Sequence, residues 1–379
     1  AGGLGAAILT DFFQGVLTVI FSFLLLPFVL DAVGGLEGIR ETVDDPKLLS
    51  LVSPGKIGKF FIVMYGLQAL IGIVAQPFIM GVCAAGRTEM DGRVGFMGGN
   101  IVKRICTMAW SVTALAAVAW YMQNSVNLDS VKADHVYGDV ARAFLPNILP
   151  GLLGLFIASL LASVMSSCDS VMIASAGLFT ENIYKPLVRE RPEAHYLKVG
   201  RLASLAVVIG GVIFAYWVPN VIAALDIWFK VAPMMGITFL LGLVWRRMTV
   251  AGAWAATLSG FAAWCVTTKS WFVQWAAALP AADQLTLTWG EGDALGIYEP
   301  WVVVIYTAAA LSAGVVVSLM TPQVSSDKLN LFYNLTRTPV TTDEVVERPC
   351  TLPVGVEPPD RPMLLTACGL EIPVPSTTT

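Results

Sequence analysis

The sequence predicts an all-α protein that crosses a membrane about eight times. Of its 379 residues, 56% are hydrophobic and 13% are charged, whereas a soluble globular domain carries roughly 25% charged residues. The apolar residues are gathered into runs of about 20, the length that an α-helix needs to cross the hydrocarbon core of a bilayer. Polar connections separate these runs. The lipid bilayer is therefore the first expected partner of this chain.

Eight apolar runs define the predicted membrane spans. The second run contains Gln76 and Pro77, and because proline lacks a backbone donor we expect the helix to be interrupted there. The spans are predicted at about residues 6–30, 59–85, 100–122, 150–186, 199–218, 221–245, 250–268 and 300–320.

Charge separates the connections into two groups. The connections after the second, fourth and sixth spans are basic. The connection after the second span is assigned four basic residues: Arg87, Arg93, Lys103 and Arg104. Those after the first, third and seventh spans are more acidic. Since basic connections stay on the cytoplasmic side of a membrane, both ends of the chain are predicted to be cytoplasmic.

The chain divides into two predicted parts, a transmembrane domain at 1–321 and a polar tail at 322–379. The tail is rich in proline from Arg348 onward. A segment of this composition buries little apolar surface. We therefore expect the tail to be a flexible or loosely packed cytoplasmic linker.

The fourth span carries many oxygen-bearing side chains. Five serines lie in it: Ser159, Ser163, Ser166, Ser167 and Ser170. At 100° per residue four of them share one helix face with Ser167 on its flank, and Asp169 lies beside them. A single serine in a membrane helix usually bonds to a carbonyl one turn back, but hydroxyls with a carboxylate are ligands for a hard cation such as Na⁺. An ionisable residue at this depth generally marks function, so the cluster predicts a cation site.

Other classes of function find little support in the sequence. The two histidines, His135 and His195, lie in polar connections, and none of the six cysteines forms a pair with metal-binding spacing. We find no nucleotide-binding loop, no nucleophile elbow and no basic aromatic patch for a nucleic acid. The sequence therefore predicts neither an enzyme nor a nucleic-acid-binding protein.

Three stretches of the sequence carry recognisable motifs. They are GGLGAAILTDFFQGV at 2–16, AFLPNILPGLLGLFIASLLASVMSSCDS at 143–170 followed by ENIYKP, and FLLGLVWRRMTVAGAWAATLSG at 239–260. Together they resemble the sodium:solute symporter family, whose members carry sugars, proline, pantothenate and sialic acid. The first stretch is similar to the start of the family's core helix five, the second is similar to core helix eight, and the third looks like the end of core helix ten and the start of the next helix.

The resemblance implies a LeuT-like fold, in which two inverted repeats of five helices give alternating access to a site at the membrane midplane. Aligned in this way, the chain begins at core helix five. The resemblance then implies that the first four core helices, which supply part of the ion and solute sites in the family, are missing from this chain.

The resemblance also implies sodium ligands. The family's site between core helices one and eight maps to the hydroxyls of Ser166 and Ser167 and to the backbone carbonyl of Ser163. A second site, found in some relatives, maps to Asp11, Ser166, Asp169 and Ser170. For Asp11 the alternative is an interfacial acid near a helix N-terminus, where the helix dipole favours negative charge.

Contacts to the solute are implied at two positions. Gln76 matches a glutamine of core helix six in the sugar carriers, and Asp226 lies one residue from the position of a sugar-binding glutamine in core helix ten. A basic residue that often follows Gln76 in the family is replaced here around Gly81, so the match to a sugar carrier is incomplete. Asp226 is also four residues before Lys230, and an ion pair between these two is the alternative.

The function implied by the resemblance is secondary active transport. Na⁺ moving down its gradient drives uptake of a small organic solute by alternating access, in a membrane expected to be a bacterial inner membrane. The alternative is a transporter-like solute sensor, since some members of the family are joined to signalling domains.

Overall fold

The computed structural model describes residues 3–43, 48–50, 52, 57–188, 190–290, 292, 295–339 and 350–374. In chain order the described helices are α1 (Gly3–Val33), α2 (Gly35–Thr42), α3 (Lys59–Ile73), α4 (Pro77–Cys83), α5 (Glu89–Gln123), α6 (Val136–Ile148), α7 (Leu152–Phe179), α8 (Lys185–Leu187), α9 (Glu193–Trp217), α10 (Val221–Val244), α11 (Val250–Thr267), α12 (Ser270–Ala277), α13 (Ala282–Leu285), α14 (Glu299–Met320) and α15 (Ser326–Arg337). Short 3₁₀ turns lie at Leu128–Ser130 and Ala133–His135, and a π-helical turn at Thr180–Tyr184 follows α7.

Four short strands form two antiparallel hairpins. The strand β1 (Thr288–Trp289) pairs with β2 (Gly296–Ile297), just before α14. The strand β3 (Met363–Ala367) pairs with β4 (Leu370–Pro373), near the end of the chain. All other regular secondary structure among the described residues is helical, as the sequence predicts.

Seven of the described helices are long and apolar enough to cross a membrane, and α3 with α4 adds an eighth if the two are one bent span. The axes of α3 and α4 differ by 62° across the break before Pro77, so the predicted interruption is confirmed. The predicted spans coincide with α1, α3–α4, α5, α7, α9, α10, α11 and α14. The largest difference is in α5, which begins at Glu89 rather than near residue 100.

The chain separates into two compact units. The first contains residues 1–51, 81–83 and 93–224, and the second contains residues 52–80, 84–92 and 225–379. The first unit therefore holds α1, α2, most of α5, and α6 to α9. The second holds α3, most of α10 and all later elements.

The core of the first unit lies between α1, α5, α6 and α7. On α1, Phe21, Leu25 and Val29 recur every four residues and are buried, so one face of the helix packs against its neighbours. The ring of Phe21 lies 6.0 Å from that of Phe156 on α7, in an edge-to-face arrangement. This core occupies the C-terminal half of α1 and leaves the half that carries Asp11 outside it.

In the second unit, α11 and α14 form a close helix pair. A side chain added at Gly252 would overlap the Ser318 hydroxyl and the Gly314 carbonyl, so only glycine allows this approach. The pair is fixed at one end by Thr249, whose Oγ1 lies 2.7 Å from Oγ1 of Thr321 and accepts a 3.2 Å hydrogen bond from the Gly252 amide. Small residues and a side-chain cap therefore lock these two helices together.

Two parts of the tail are folded against the rest of the second unit. Tyr333 of α15 is buried, and its hydroxyl donates a 3.0 Å hydrogen bond to the Gly242 carbonyl. The second hairpin meets the end of α10 through a bridge between Trp245 and Leu370. Where the sequence predicts a loose linker, aromatic side chains thus anchor α15 and the hairpin. The proline-rich run begins at Arg348, which lies outside the described residues.

Candidate functional site

The helices α1 and α7 bring together predicted ligands that are about 150 residues apart in the chain. The two helices pack against each other within the first unit. Asp11 lies in the N-terminal half of α1, and Ser163, Ser166 and Ser167 lie near the middle of α7. Gly151 separates α6 from α7 with a φ of 88°, a conformation that favours glycine. This turn allows the chain to change direction between α6 and α7.

Asp11 and the three serines line one cavity of about 260 Å³, which we call the α1–α7 cavity. Its walls come from α1, α5 and α7. Its other polar lining residues are Gln14, Thr18 and Lys103. Asp11, Gln14 and Thr18 are spaced by three and four residues, so they share one face of α1.

Two oxygens in this lining have no hydrogen-bond partner among the described residues. They are Oδ1 of Asp11 and Oε1 of Gln14, and both atoms are buried. A buried polar atom without a partner loses its hydration and gains nothing in exchange, and the cost is largest for an ionised carboxylate. A cation held in the cavity would satisfy both oxygens. The donor set of this cavity therefore fits Na⁺.

The serines of α7 add further oxygens to the same cavity. The Ser167 hydroxyl donates to the Ser163 carbonyl at 3.4 Å, which is at the long limit for a hydrogen bond. The alternative given above was that each serine hydroxyl is hydrogen-bonded to the carbonyl one turn earlier. For Ser167 this hydrogen bond is present but long. The same distance shows that two predicted ligands, the Ser167 hydroxyl and the Ser163 carbonyl, lie close together.

The structure places Asp169 and Ser170 elsewhere. Asp169 lines a larger cavity of about 900 Å³ between α1, α7 and α9, together with Thr10 and Thr180. Ser170 lines neither this cavity nor the α1–α7 cavity. The two acids of the predicted second site, Asp11 and Asp169, therefore border different cavities.

The two predicted solute contacts lie in the second unit. Gln76 is at the break between α3 and α4, where its backbone carbonyl accepts a 3.1 Å hydrogen bond from the Met80 amide. Asp226 is half-buried in α10. The predicted Asp226–Lys230 pair is wrong, because Nζ of Lys230 lies 3.1 Å from Oε1 of Glu299 at the start of α14.

Three polar lining residues were outside the predicted ligand set: Gln14, Thr18 and Lys103. Gln14 follows Asp11 by three residues, and this helical spacing is a signal that could have identified it. Lys103 is assigned by its charge to a cytoplasmic connection, but α5 carries it within the helix and into the wall of the cavity. No local signal distinguishes such a lysine from one in a connection.

A third cavity of about 450 Å³ adjoins the first, with Thr18, Trp110 and Ser163 in both linings. Aromatic rings, among them Tyr137 and Phe156, form much of its wall, and the part of the chain that the structure describes contributes no charged side chain to it. Burial raises the pKa of Tyr137, so its hydroxyl stays protonated and can donate a hydrogen bond. This space suits an uncharged or apolar group beside the polar cavity.

These observations define the class of protein. Apolar helices long enough to span a membrane, with a buried carboxylate oxygen in an oxygen-lined cavity between two of them, are typical of integral membrane proteins that handle ions. A sequence model of the sodium:solute symporter family matches residues 1–260. The chain belongs to this family, and the LeuT-like fold implied by its motifs is consistent with that membership.

Named relatives agree with the family. The chain is 28% identical over 276 residues to the high-affinity proline transporter PutP of Bacillus subtilis, which covers 69% of this chain and 54% of the relative. It is 25% identical over 281 residues to a sodium/pantothenate symporter of Haemophilus influenzae, covering 71% and 55%. It is 25% identical over 361 residues to a sodium/proline symporter of the same organism, covering 87% and 63%. The chain thus spans between 54% and 63% of the length of these relatives.

Proposed function

We propose that this protein is a secondary active transporter that couples the entry of Na⁺ to the uptake of a small organic solute. The proposal is supported by the family and by relatives named as sodium/proline and sodium/pantothenate symporters. The single observation that carries it is the α1–α7 cavity, where the buried, unpaired oxygen of Asp11 meets the serines of α7. Because these relatives come from bacteria, we propose a bacterial inner membrane as the location.

In this proposal Na⁺ is held between α1 and α7. Asp11 supplies the negative charge, Ser166 and Ser167 supply hydroxyl oxygens, and Ser163 supplies its carbonyl. Asp169 and Ser170 lie outside the lining of the α1–α7 cavity, so they are not among the ligands proposed for this ion. An ion that bridges two helices stabilises the arrangement in which both reach it.

Coupling requires that the ion and the solute favour the same arrangement of the helices. Gln76 and Asp226, which both belong to the second unit, are proposed as polar contacts of the solute. Since the relatives are named for proline, pantothenate and myo-inositol, we propose a small polar organic molecule as the solute.

The test is the double variant Ser166→Ala with Ser167→Ala. We expect the sodium concentration for half-maximal binding of ²²Na⁺ to the purified protein to rise at least about tenfold, because two oxygen ligands are lost, each worth about 1 kcal/mol. The matched control is Ser175→Ala, which removes a hydroxyl from the same helix but lies outside the lining of the α1–α7 cavity. Unchanged sodium binding in the double variant would contradict the proposal.

A further inference from the structure

Among the described residues, two charged side chains line the α1–α7 cavity, those of Asp11 and Lys103. The carboxylate comes from α1, and the ammonium comes from α5, a separate helix of the same unit. Without an ion, the formal charges of the lining therefore cancel. With one bound Na⁺ the cavity holds a net charge of +1, so the protein's own cation opposes the entering ion.

No contact among the described residues prevents the ammonium of Lys103 from opposing the entering ion. Lys103 is exposed, and among the described residues it forms no ion pair with an acid. Its backbone carbonyl accepts a 2.7 Å hydrogen bond from the Thr107 hydroxyl, which belongs to the helix and leaves the side chain unconstrained. A lysine side chain is a compact charge on a flexible stem with four carbons, so its ammonium can approach a carboxylate and withdraw again.

Asp11 offers the acceptor that such an ammonium needs. Its Oδ1 is buried and has no hydrogen-bond partner among the described residues. An ammonium and Na⁺ are both monovalent cations that oxygen ligands stabilise, so they compete for the same carboxylate.

We propose that Lys103 is a tethered cation that competes with Na⁺ for Asp11 and thereby sets the sodium affinity of the cavity. This inference rests on the proposed function, since it names a residue that tunes the same ion site. In the absence of Na⁺ the ammonium neutralises the carboxylate, and in its presence the ammonium withdraws to the exposed mouth of the cavity.

The experiment compares Lys103→Met with Arg104→Met in the purified protein. Both variants remove one positive charge from adjacent positions of α5, but Arg104 does not line the cavity. Equilibrium binding of ²²Na⁺ is measured at constant ionic strength, with choline replacing Na⁺. We expect Lys103→Met to lower the half-saturating sodium concentration by about threefold to tenfold, and Arg104→Met to leave it near the wild-type value.

A second measurement separates competition from simple repulsion. In the Asp11→Asn background no carboxylate draws the ammonium into the cavity, so the gain from Lys103→Met should shrink there. An undiminished gain would show that Lys103 acts by repulsion at a distance, and the proposed competition would be overturned.

The possible failures are distinguishable. If the wild-type protein binds Na⁺ and Lys103→Met binds it no more tightly, or if Arg104→Met gives the same gain, the role of Lys103 is refuted and the proposed function stands. If the wild-type protein shows no saturable sodium binding, both proposals fail together. Lys103→Gln replaces Lys103→Met if the methionine variant does not fold.

Discussion

Two half-buried acids in this protein have opposite surroundings. In the second unit, Glu299 lies 3.1 Å from the ammonium of Lys230. In the first unit, Oδ1 of Asp11 is buried and has no hydrogen-bond partner among the described residues. The paired acid is stabilised by a fixed contact within the protein, whereas the unpaired one is stabilised only when a cation reaches it inside the cavity. From this difference we propose a structural role for Glu299 and a binding role for Asp11.

The second unit also contains buried oxygens without a partner among the described residues, on Gln68 and Tyr306. These groups are uncharged, and an uncharged group loses less on burial than a carboxylate does. The Gln68 amide is moreover partly satisfied, since its Nε2 donates to the Phe229 carbonyl. What distinguishes the α1–α7 cavity is therefore the negative charge of Asp11 together with the convergence of hydroxyls.

The largest expected effect is the loss of sodium affinity when Asp11, the unpaired acid, is replaced. Because Asp11→Asn removes the only negative charge that the described residues contribute to the lining of the α1–α7 cavity, we expect the half-saturating sodium concentration to rise by about 100-fold, which corresponds to about 2.7 kcal/mol. Asp169→Asn is the matched variant, and since Asp169 lines the other cavity we expect a change below about threefold. Equal effects in ²²Na⁺ binding would show that the two cavities act as one site.

The next largest effect is the loss of stability when Glu299, the paired acid, loses its partner. Lys230→Met leaves the Glu299 carboxylate without its partner, and we expect a loss of about 2 kcal/mol of stability, less than for a fully buried pair because both side chains keep some exposure. The double variant Lys230→Met with Glu299→Gln should recover most of this loss. Thermal unfolding in detergent measures both. Sodium affinity should stay unchanged, and a weaker sodium affinity would place this pair in the ion site after all.

A smaller effect is expected where packing, rather than charge, holds the second unit together. Gly252→Ala places a methyl group against Ser318 and the Gly314 carbonyl, and we expect a loss of about 1.5 kcal/mol. Gly242→Ala is the control, because a side chain there meets no atom within 4 Å, and alanine favours a helix over glycine. Thermal unfolding should separate the two variants, and equal stabilities would contradict the close pairing of α11 and α14.

The smallest effect concerns an acid whose partners are outside the membrane. Burial raises the pKa of Glu371, but hydrogen bonds from Arg337 and Arg246 outweigh it and hold the pKa below its ordinary value of 4.5. A lowered pKa stabilises the folded hairpin above pH 4.5, and this contribution is lost as the pH falls from there through the pKa of the folded state. We expect amides of residues 363–373 to lose protection from hydrogen exchange over that range, by about 0.5 kcal/mol.

Glu371→Gln tests the origin of this effect. The variant should show weaker protection at pH 7 and little change on acidification. A pH dependence that persists in the variant would assign the effect to another group.

The positions of the spans could be predicted because they depend on local composition. A run of about 20 apolar residues is recognisable wherever it lies, and Pro77 marks the break between α3 and α4 because the chemistry of proline acts locally. The polar face of α7 was also readable from its helical spacing, which places Ser163, Ser166 and Ser167 together.

The remaining features depend on contacts between distant residues. The partner of Lys230 is 69 residues away, and the sequence favours the nearer Asp226. Asp169 is three residues from Ser166 on α7, yet it borders another cavity, because the arrangement of α1 and α9 decides which space each side chain enters. Lys103 reaches the cavity because α5 continues beyond its apolar part. The partner of Lys230, the cavity that Asp169 borders and the position of Lys103 all depend on the packing of helices that are distant in the sequence.

The most direct test of the central claim is a pair of cryo-EM maps of the protein, one in sodium and one in choline at equal ionic strength. We predict a density peak in the α1–α7 cavity, in contact with Oδ1 of Asp11 and the hydroxyls of Ser166 and Ser167, in the sodium map alone. A cavity that looks the same in both maps, in a protein that still binds ²²Na⁺, would show that the ion is held elsewhere and would contradict this account.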